Sequence, residues 1–175
     1  YVSKRTSNKK LKVGINIYKN NIDKVDLISN NFKVDKNLLL SLMGIETNFG
    51  SYLGKMDIIS SLATLSFDKR RSEFFTSELI TLLKLIDNKI LESDSLYGSW
   101  AGAFGNFQFM PSTIKNYAID FDNNNSIDLK NNKDAYASAA NYLNKIGWKN
   151  NQPCFLRADL SEEIPKIYLN ISAKK

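Results

Sequence analysis

Histidine is absent from this sequence of 175 residues, and cysteine occurs once, as Cys154. Without histidine the chain cannot form a Ser-His-Asp or Cys-His catalytic centre, and it cannot bind a metal ion through imidazole. A single cysteine forms no disulfide within the chain and no thiolate zinc cluster. Any enzyme chemistry must therefore use carboxylates, amides, hydroxyl groups or a hard metal ion.

Long apolar runs are missing too. The longest run, LLLSLMGI, is too short to span a bilayer, and no targeting segment is visible. The chain begins at Tyr1 rather than methionine, so we expect a processed protein or a fragment of a longer one. Its formal net charge of +6 favours anionic partners such as nucleic acid, a membrane surface or a cell-wall polymer. A lysine-rich composition would give the same charge without any such partner.

The spacing of apolar residues predicts a mainly α-helical fold, of the α+β class. Asp35 is expected to cap the first of the clear helices, and Pro111 suits the first position of another. Gly147 is expected to end the last helix. The segment CFLRADL, which includes Cys154, is compatible with a short strand. The predicted helices cover residues 35–48, residues 70–92, a segment that starts at residue 111, and residues 132–146.

A single carboxylate, Glu46, stands near the end of the first of these helices, in the stretch GIETNFG. Leu39, Met43 and Glu46 are spaced so that the carboxylate continues an apolar face of the helix. Desolvation and the helix dipole would both favour the protonated form of such a carboxyl group, as a general acid requires. The alternative is an ion pair between Glu46 and Arg70 or Arg71.

Residues 97–112, YGSWAGAFGNFQFMPS, are here called the glycine loop. Its glycines would allow the backbone to approach a ligand closely, and its aromatic side chains could stack on sugar rings. Ser99, Asn106 and Gln108 could supply hydrogen bonds to hydroxyl and acetamido groups. The same composition would also fit a tightly packed loop in an aromatic core. The loop lacks the G-x-x-x-x-G-K-[ST] pattern of a phosphate-binding loop.

Residues 120–134, here called the acidic loop, begin with DFDNNNSID and resemble the first positions of an EF-hand. Asn125 stands at the sixth position, which is normally glycine, and asparagine is the next-best residue for a left-handed backbone. Asn131 stands where an EF-hand has its closing glutamate, and the next carboxylate is Asp134, so closure would need a longer loop. A solvated polar turn is the alternative to a calcium site.

Five segments occur in an order and spacing that resemble the lytic murein transglycosylase B family, whose members cleave bacterial peptidoglycan. The segments are MGIETNFG, LATLSFDKRRSEFF, GSWAGAFGNFQFMPS, YAIDFDNNNSIDL and ANYLNKIGW. The resemblance covers roughly residues 10–150. After the last segment the family continues into further strands and a closing helix, whose Tyr-Asn pair lies beside the catalytic glutamate. No counterpart of that pair is identified here.

The resemblance implies a lysozyme-like helical domain over residues 1–150, with an EF-hand-like calcium loop at 120–134, and a C-terminal extension at 151–175. It implies Glu46 as the single catalytic acid/base. It further implies a structural Ca²⁺ ion, a location in the periplasm or cell envelope, and peptidoglycan glycan strands as the partner of a monomeric protein. The implied substrate-binding residues are Ser99, Gln108, Tyr142, Arg70, Arg71, Phe74 and Phe104, and the implied calcium ligands are Asp120, Asp122, Asn124, Ser126 and Asp134.

The expected reaction is cleavage of the β-1,4 bond between N-acetylmuramic acid and N-acetylglucosamine, with a 1,6-anhydromuramyl product. One carboxylate is enough for this reaction if the muramyl 6-hydroxyl is the nucleophile. Two alternatives keep the same substrate: a water-using lysozyme of the same fold, and a non-catalytic peptidoglycan-binding module. A nucleic-acid binder is disfavoured, because no helix has a basic face interleaved with stacking aromatics.

Overall fold

The computed structural model describes residues 6–153, 159 and 163–165. Within these residues the fold is mainly helical, as the sequence predicts, and it contains one small antiparallel sheet that was not predicted. The strand expected from CFLRADL lies almost entirely outside the described residues. The elements are α1 Asn8–Asn20, α2 Ile22–Phe32, α3 Lys36–Thr47, β1 Met56–Asp57, α4 Ile58–Phe67, α5 Ser72–Asp87, a 3₁₀ turn Ser93–Ser95, β2 Tyr97–Gly98, α6 Pro111–Tyr117 and α7 Asn132–Lys145.

Local sequence signals set several of the helix ends. The Asp35 carboxylate accepts hydrogen bonds from the backbone N–H groups of Asn37, at 2.6 Å, and Leu38, at 3.3 Å, and so caps α3. Pro111 is the first residue of α6, where a missing N–H costs no helical hydrogen bond. Gly147 has a φ of 104° just after α7. These three predictions are confirmed.

The helix predicted over residues 70–92 is shorter in the structure, where α5 ends at Asp87. The Asn88 side chain donates to the carbonyl oxygen of Lys84 at 2.8 Å, which satisfies a backbone acceptor at the helix end. Lys89 then takes a left-handed φ of 58° and turns the chain away from the helix. Ile90, which the apolar pattern placed on the helix, is exposed after this turn.

The helices enclose one hydrophobic core. Helices α4 and α5 pack as a pair, α2 packs on α7, and α6 bridges α5 and α7. Leu39 and Met43 of α3, Ile28 of α2 and Tyr136 of α7 are all buried in this core. The two-stranded sheet pairs Met56 with Gly98 and Asp57 with Tyr97, so it fastens the start of α4 to the glycine loop. No helix among the described residues combines the length and the hydrophobicity needed to cross a bilayer.

The chain reverses sharply after α3. Asn48, Phe49 and Gly50 have φ angles of 51°, 61° and 77°, a left-handed run that is strained at Phe49 because it carries a bulky side chain. The Phe49 ring lies between α1 and α3, where two glycines make room for it. A Cβ atom would lie 2.7 Å from Phe49 Cζ at Gly44 and 3.0 Å from it at Gly14. The ring therefore anchors the turn that ends α3.

We predict that Gly44→Ala destabilises the protein by about 1–3 kcal/mol, because the added methyl group forces the Phe49 ring out of its slot. Ser41→Ala, at an exposed position of the same helix, is the control and should change the free energy of unfolding by less than about 0.5 kcal/mol. Urea unfolding of the parent and both variants measures the difference. Equal stability of the two variants would show that Phe49 can leave the slot without cost.

Candidate active site

A cavity of about 230 Å³ opens where α3, the glycine loop and α7 meet. Glu46 lies at its edge, in the last turn of α3, and we call it the Glu46 cavity. Glu46 is the only carboxylate among the described residues that line it. Most of the lining is apolar, which is typical of a site where a few polar groups orient a ligand. The lining residues are Leu42, Glu46, Phe107, Gln108, Phe109, Met110, Thr113, Ala139, Tyr142 and Leu143.

The expectation that Glu46 is desolvated on an apolar face is wrong for this structure. Leu39 and Met43 are buried, but Glu46 is exposed. The spacing puts the three residues on one side of α3, yet Glu46 lies beyond the edge of the core and lines the cavity. The alternative of an ion pair is also wrong, since Glu46 forms no ion pair with any described residue. Its carboxylate faces open space.

Gln108 lines the same cavity as Glu46, and its side chain is held in one orientation. Its side-chain nitrogen donates to the carbonyl oxygens of Gly105 at 3.0 Å and Leu53 at 3.3 Å. Because carbonyl oxygens accept only, the nitrogen of the amide must face them, and the amide oxygen is left for other partners. The backbone of Gln108 has a φ of 53°, a strained conformation of the kind that clusters at functional sites.

Tyr142 forms the aromatic wall of the cavity from α7. Its ring packs at 5.9 Å from the Phe109 ring and at 5.1 Å, edge to face, from the Tyr117 ring. Such tilted and edge-to-face pairs fix the plane of the ring. Glu46, Gln108 and Tyr142, which the sequence placed on three separate segments, thus line one cavity.

Ser99 and Phe104 lie outside the cavity lining. The Ser99 hydroxyl accepts a hydrogen bond from the backbone N–H of Ala103 at 3.0 Å, which closes a turn of the glycine loop. Phe104 is buried, with the Lys130 ammonium group 5.2 Å from its ring centre. The glycine loop therefore combines both expectations from the sequence, since part of it packs into the core and part of it lines the cavity.

The paired arginines project from the turn before α5. Arg70 binds Asp68, with its Nη2 atom 2.6 Å from the carboxylate, and this contact lowers the pKa of Asp68 to about 2. Arg71 lies over the rings of Phe74 and Phe75, at 4.4 Å and 5.2 Å from their centres. Both guanidinium groups are exposed, so they remain accessible to an anionic ligand.

The acidic loop brings together three carboxylates: oxygen atoms of Asp120, Asp122 and Asp134 all lie within 4.8 Å of one another. Asp134 is fully buried and accepts hydrogen bonds from the backbone N–H groups of Phe121, at 3.0 Å, and Asp128, at 2.9 Å. One oxygen of Asp122 is buried and has no hydrogen-bond partner among the described residues. Three converging oxygen ligands and one unsatisfied buried oxygen fit a hard cation such as calcium.

The backbone of the acidic loop also has the form expected from its pattern. Asn125, at the position that is glycine in an EF-hand, has a left-handed φ of 65°. The Asp120 carboxylate accepts from the N–H groups of Asn124 at 3.2 Å and Asn125 at 2.7 Å, which curls the loop. The Asn124 side chain accepts from the N–H of Ser126 at 2.9 Å. Lys133 lies 3.3 Å from Asp122 and partly offsets the local negative charge.

Several residues around the cavity were not identified from the sequence. Glu78 of α5 is 4% exposed and accepts hydrogen bonds from the N–H and hydroxyl of Ser112, at 2.8 Å and 2.6 Å, so it holds the start of α6. No local pattern predicts this contact, because it joins residues far apart in the chain. Leu42 could have been found, since it precedes Glu46 by one helical turn.

The family model described as "Transglycosylase SLT domain" matches residues 1–175. The chain is 42% identical over 118 residues to the membrane-bound lytic murein transglycosylase B of Escherichia coli K12, an alignment that covers 67% of this chain and 33% of that protein.

Two solved structures are also similar. The Escherichia coli lytic transglycosylase Slt35 in complex with calcium has a TM-score of 0.81 at 34% identity, over 86% of this chain and 49% of that one. SltB3 from Pseudomonas aeruginosa in complex with NAG-NAM-pentapeptide has a TM-score of 0.84 at 34% identity, over 87% and 41%. This chain thus spans about half the length of these structures or less.

Beneath the cavity, Tyr136 packs its ring 5.5 Å from Phe107, and burial raises the pKa of its phenol to about 12. Its hydroxyl has no hydrogen-bond partner among the described residues. Above pH 10 the unfolded chain loses the Tyr136 proton while the folded chain keeps it, which favours the unfolded chain. The contribution of Tyr136 to the free energy of unfolding is therefore complete below pH 10 and is lost as the pH rises to about 12. We predict a loss of about 3 kcal/mol from this group.

The measurement is the free energy of unfolding of the parent and of Tyr136→Phe at intervals across this pH range. The quantity of interest is the difference between the two proteins at each pH, because the Tyr136 hydroxyl is the only group that they do not share. Tyr136→Phe should be at least as stable as the parent at neutral pH, because no described hydrogen bond is lost. A constant difference between pH 10 and pH 12 would contradict the prediction.

Proposed function

Because this chain belongs to the transglycosylase SLT domain family, we propose that it cleaves the glycan strands of peptidoglycan. The bond broken is the β-1,4 bond between N-acetylmuramic acid and N-acetylglucosamine, and the product carries a 1,6-anhydromuramyl end. The observation that carries the proposal is the Glu46 cavity, in which the described residues supply one carboxylate beside an oriented amide and an aromatic wall. Glycosidases that use water need two carboxylates on opposite sides of the bond.

In the proposed mechanism Glu46 first acts as a general acid. Its carboxyl proton passes to the glycosidic oxygen as the bond from that oxygen to C1 of the muramyl residue breaks. The resulting carboxylate then removes the proton of the muramyl 6-hydroxyl, whose oxygen forms the new bond to C1. Glu46 ends the cycle with its proton restored, and no water is consumed. The substrate supplies the nucleophile that a second carboxylate or a water molecule would otherwise provide.

Gln108 and Tyr142 are proposed to orient the sugar. The two backbone contacts of Gln108 use its side-chain nitrogen. Its amide oxygen can therefore accept a hydrogen bond from a hydroxyl or acetamido N–H group. The Tyr142 ring can stack on the apolar face of a sugar. Arg70 and Arg71 are proposed to meet the carboxylates of peptide stems, with Phe74 beside them. Ser99 and Phe104 do not line the cavity, and they are proposed to support the glycine loop that carries Gln108.

Calcium is proposed as a structural ion of the acidic loop, and it takes no part in the chemical step. The ligands would be Asp120, Asp122, Asn124, Ser126 and Asp134. When bound, the ion would neutralise three converging carboxylates and tie the loop to the first turn of α7, the helix that carries Tyr142. We also propose that the protein works as a monomer in the periplasm or elsewhere in the cell envelope, where peptidoglycan is found.

The first test is Glu46→Gln, which keeps the shape of the side chain but cannot transfer a proton. We predict that the rate of peptidoglycan cleavage falls by roughly 10²–10⁴-fold, while binding to purified sacculi is retained. Glu92→Gln, an exposed residue outside the cavity, is the matched control and should cleave at the parent rate. Mass spectrometry of the released muropeptides measures both the rate and the product.

Product masses separate the alternatives. Fragments one water lighter than hydrolysis products, formed by the parent and by Glu92→Gln, support the transglycosylase. Fully hydrated fragments would instead indicate a lysozyme that uses water. Binding without any products would indicate a binding module.

The second test concerns calcium. We predict that calcium at about 100 times its Kd stabilises the parent by about 2.7 kcal/mol over protein in chelator. Asp122→Asn should lose this stabilisation, and in chelator it should be at least as stable as the parent, because a repulsive charge has been removed. Asp94→Asn, outside the loop, should respond like the parent. Thermal unfolding that is the same in calcium and in chelator would remove these residues as ligands.

A further inference from the structure

Thr47, the residue after Glu46, is 1% exposed and links α3 to the glycine loop. Its hydroxyl oxygen lies 3.1 Å from the carbonyl oxygen of Met43 and 2.9 Å from that of Asn106, and it accepts the N–H of Gly50 at 3.0 Å. A hydroxyl has one proton, so it donates to one carbonyl at a time. The contact with Asn106 is the one that joins two distant segments of the chain.

Asn106 is 3% exposed and fastens the glycine loop from the other side. Its backbone N–H donates to the carbonyl of Leu129 at 2.9 Å, and its side-chain nitrogen donates to the carbonyl of Lys130 at 3.1 Å and to the side chain of Asn132 at 3.3 Å. Asn132 is the first residue of α7. Asn106 therefore connects α3, the glycine loop and α7, the three parts of the fold that form the Glu46 cavity.

These two residues flank the polar groups of the cavity without lining it themselves. Thr47 follows Glu46 in the chain, and Asn106 precedes Gln108 by two residues. The backbone beside both is strained, with positive φ angles at Phe49 and at Gln108. Such strain persists only where surrounding contacts hold it, and the hydrogen bonds of Thr47 and Asn106 are buried and close to it.

We propose that Thr47 and Asn106 are positioning residues that fix the distance between the Glu46 carboxylate and the Gln108 amide. The inference rests on the proposed function, in which both groups act on one sugar at the same time. Catalysis depends steeply on such distances, since a displacement of about 1 Å can lower a rate roughly 10²-fold. A residue that only stabilised the fold would alter the unfolding temperature without this effect on the rate.

The experiment compares Thr47→Val, which keeps the shape but removes the hydroxyl, with Thr47→Ser, which keeps the hydroxyl. Each is assayed on soluble glycan strands from peptidoglycan at a temperature where both are folded. We expect Thr47→Val to lower kcat by roughly 10–100-fold with little change in KM. Thr47→Ser should stay within about threefold of the parent kcat. Asn106→Ala should follow Thr47→Val.

A second measurement does not depend on activity. In ¹³C and ¹⁵N NMR spectra, Thr47→Val should shift both the Glu46 carboxyl and the Gln108 side-chain amide resonances, and Thr47→Ser should leave them close to their positions in the parent protein.

A double variant tests the same role through activity. When Thr47→Val is added to Glu46→Gln, cleavage should become no slower, because the carboxyl group that Thr47 positions is already inactive.

Three results would overturn the inference: unchanged kcat in Thr47→Val with only a lower unfolding temperature, equal losses of kcat in the valine and serine variants, or unmoved Glu46 and Gln108 resonances. Failure of the proposed function looks different, because the parent protein would then release no anhydro products. The NMR comparison would still decide the positioning role in that case.

Discussion

The reversal of the chain after Thr47 is the constraint on which the geometry of the cavity depends. Three successive left-handed residues would not hold this shape by themselves, because a bulky residue such as Phe49 disfavours it. The Phe49 ring, seated between Gly14 and Gly44, secures the turn from one side. The buried Thr47 hydroxyl secures it from the other. The end of α3 can therefore project its last turn toward the glycine loop without fraying.

Because the chain has no histidine, its carboxylates must serve different roles, and the surroundings of each carboxylate decide its role. The described residues contain three different carboxylate environments. Glu78 is buried against the first turn of α6 and acts as a remote cap through Ser112. Asp122 and Asp134 converge in the acidic loop, where the Lys133 ammonium group partly offsets their charge and a hard cation would fit. Glu46 faces a cavity and forms no ion pair with a described residue. Of these carboxylates, Glu46 is the one that has space for a substrate beside it.

Sequence reasoning predicted the features that depend on one or a few neighbouring residues. The cap at Asp35, the start at Pro111 and the end at Gly147 follow from backbone preferences that any chain shares. The left-handed Asn125 follows from the same kind of argument. Helices α1, α2 and α4 were not predicted. Lysine and asparagine make up most of α1 and none of its residues is buried, so its low apolar content did not mark it as a core helix.

Features that depend on contacts between distant residues could not be predicted. The exposure of Glu46 is decided by where α3 ends relative to the glycine loop, and periodicity along one helix does not contain this information. Asn106 was one of three residues that could have supplied a hydrogen bond to a sugar, yet its side-chain amide is buried against the segment before α7. In both cases the residue type is compatible with two roles, and the role is determined by the position of another element of the fold.

The exposure of Glu46 bears on how the proposed reaction would work. Proton transfer from a carboxyl group to a glycosidic oxygen is favoured where water is excluded, and in the free protein the Glu46 side chain is exposed to solvent. A glycan seated between Gln108 and Tyr142 would cover the mouth of the cavity and displace water from the carboxylate. Under the proposed function, the substrate thus supplies both the nucleophile and the desolvation that prepares the acid. A shift in the distance between Glu46 and Gln108 would then weaken both effects together, because one sugar must contact both side chains at once.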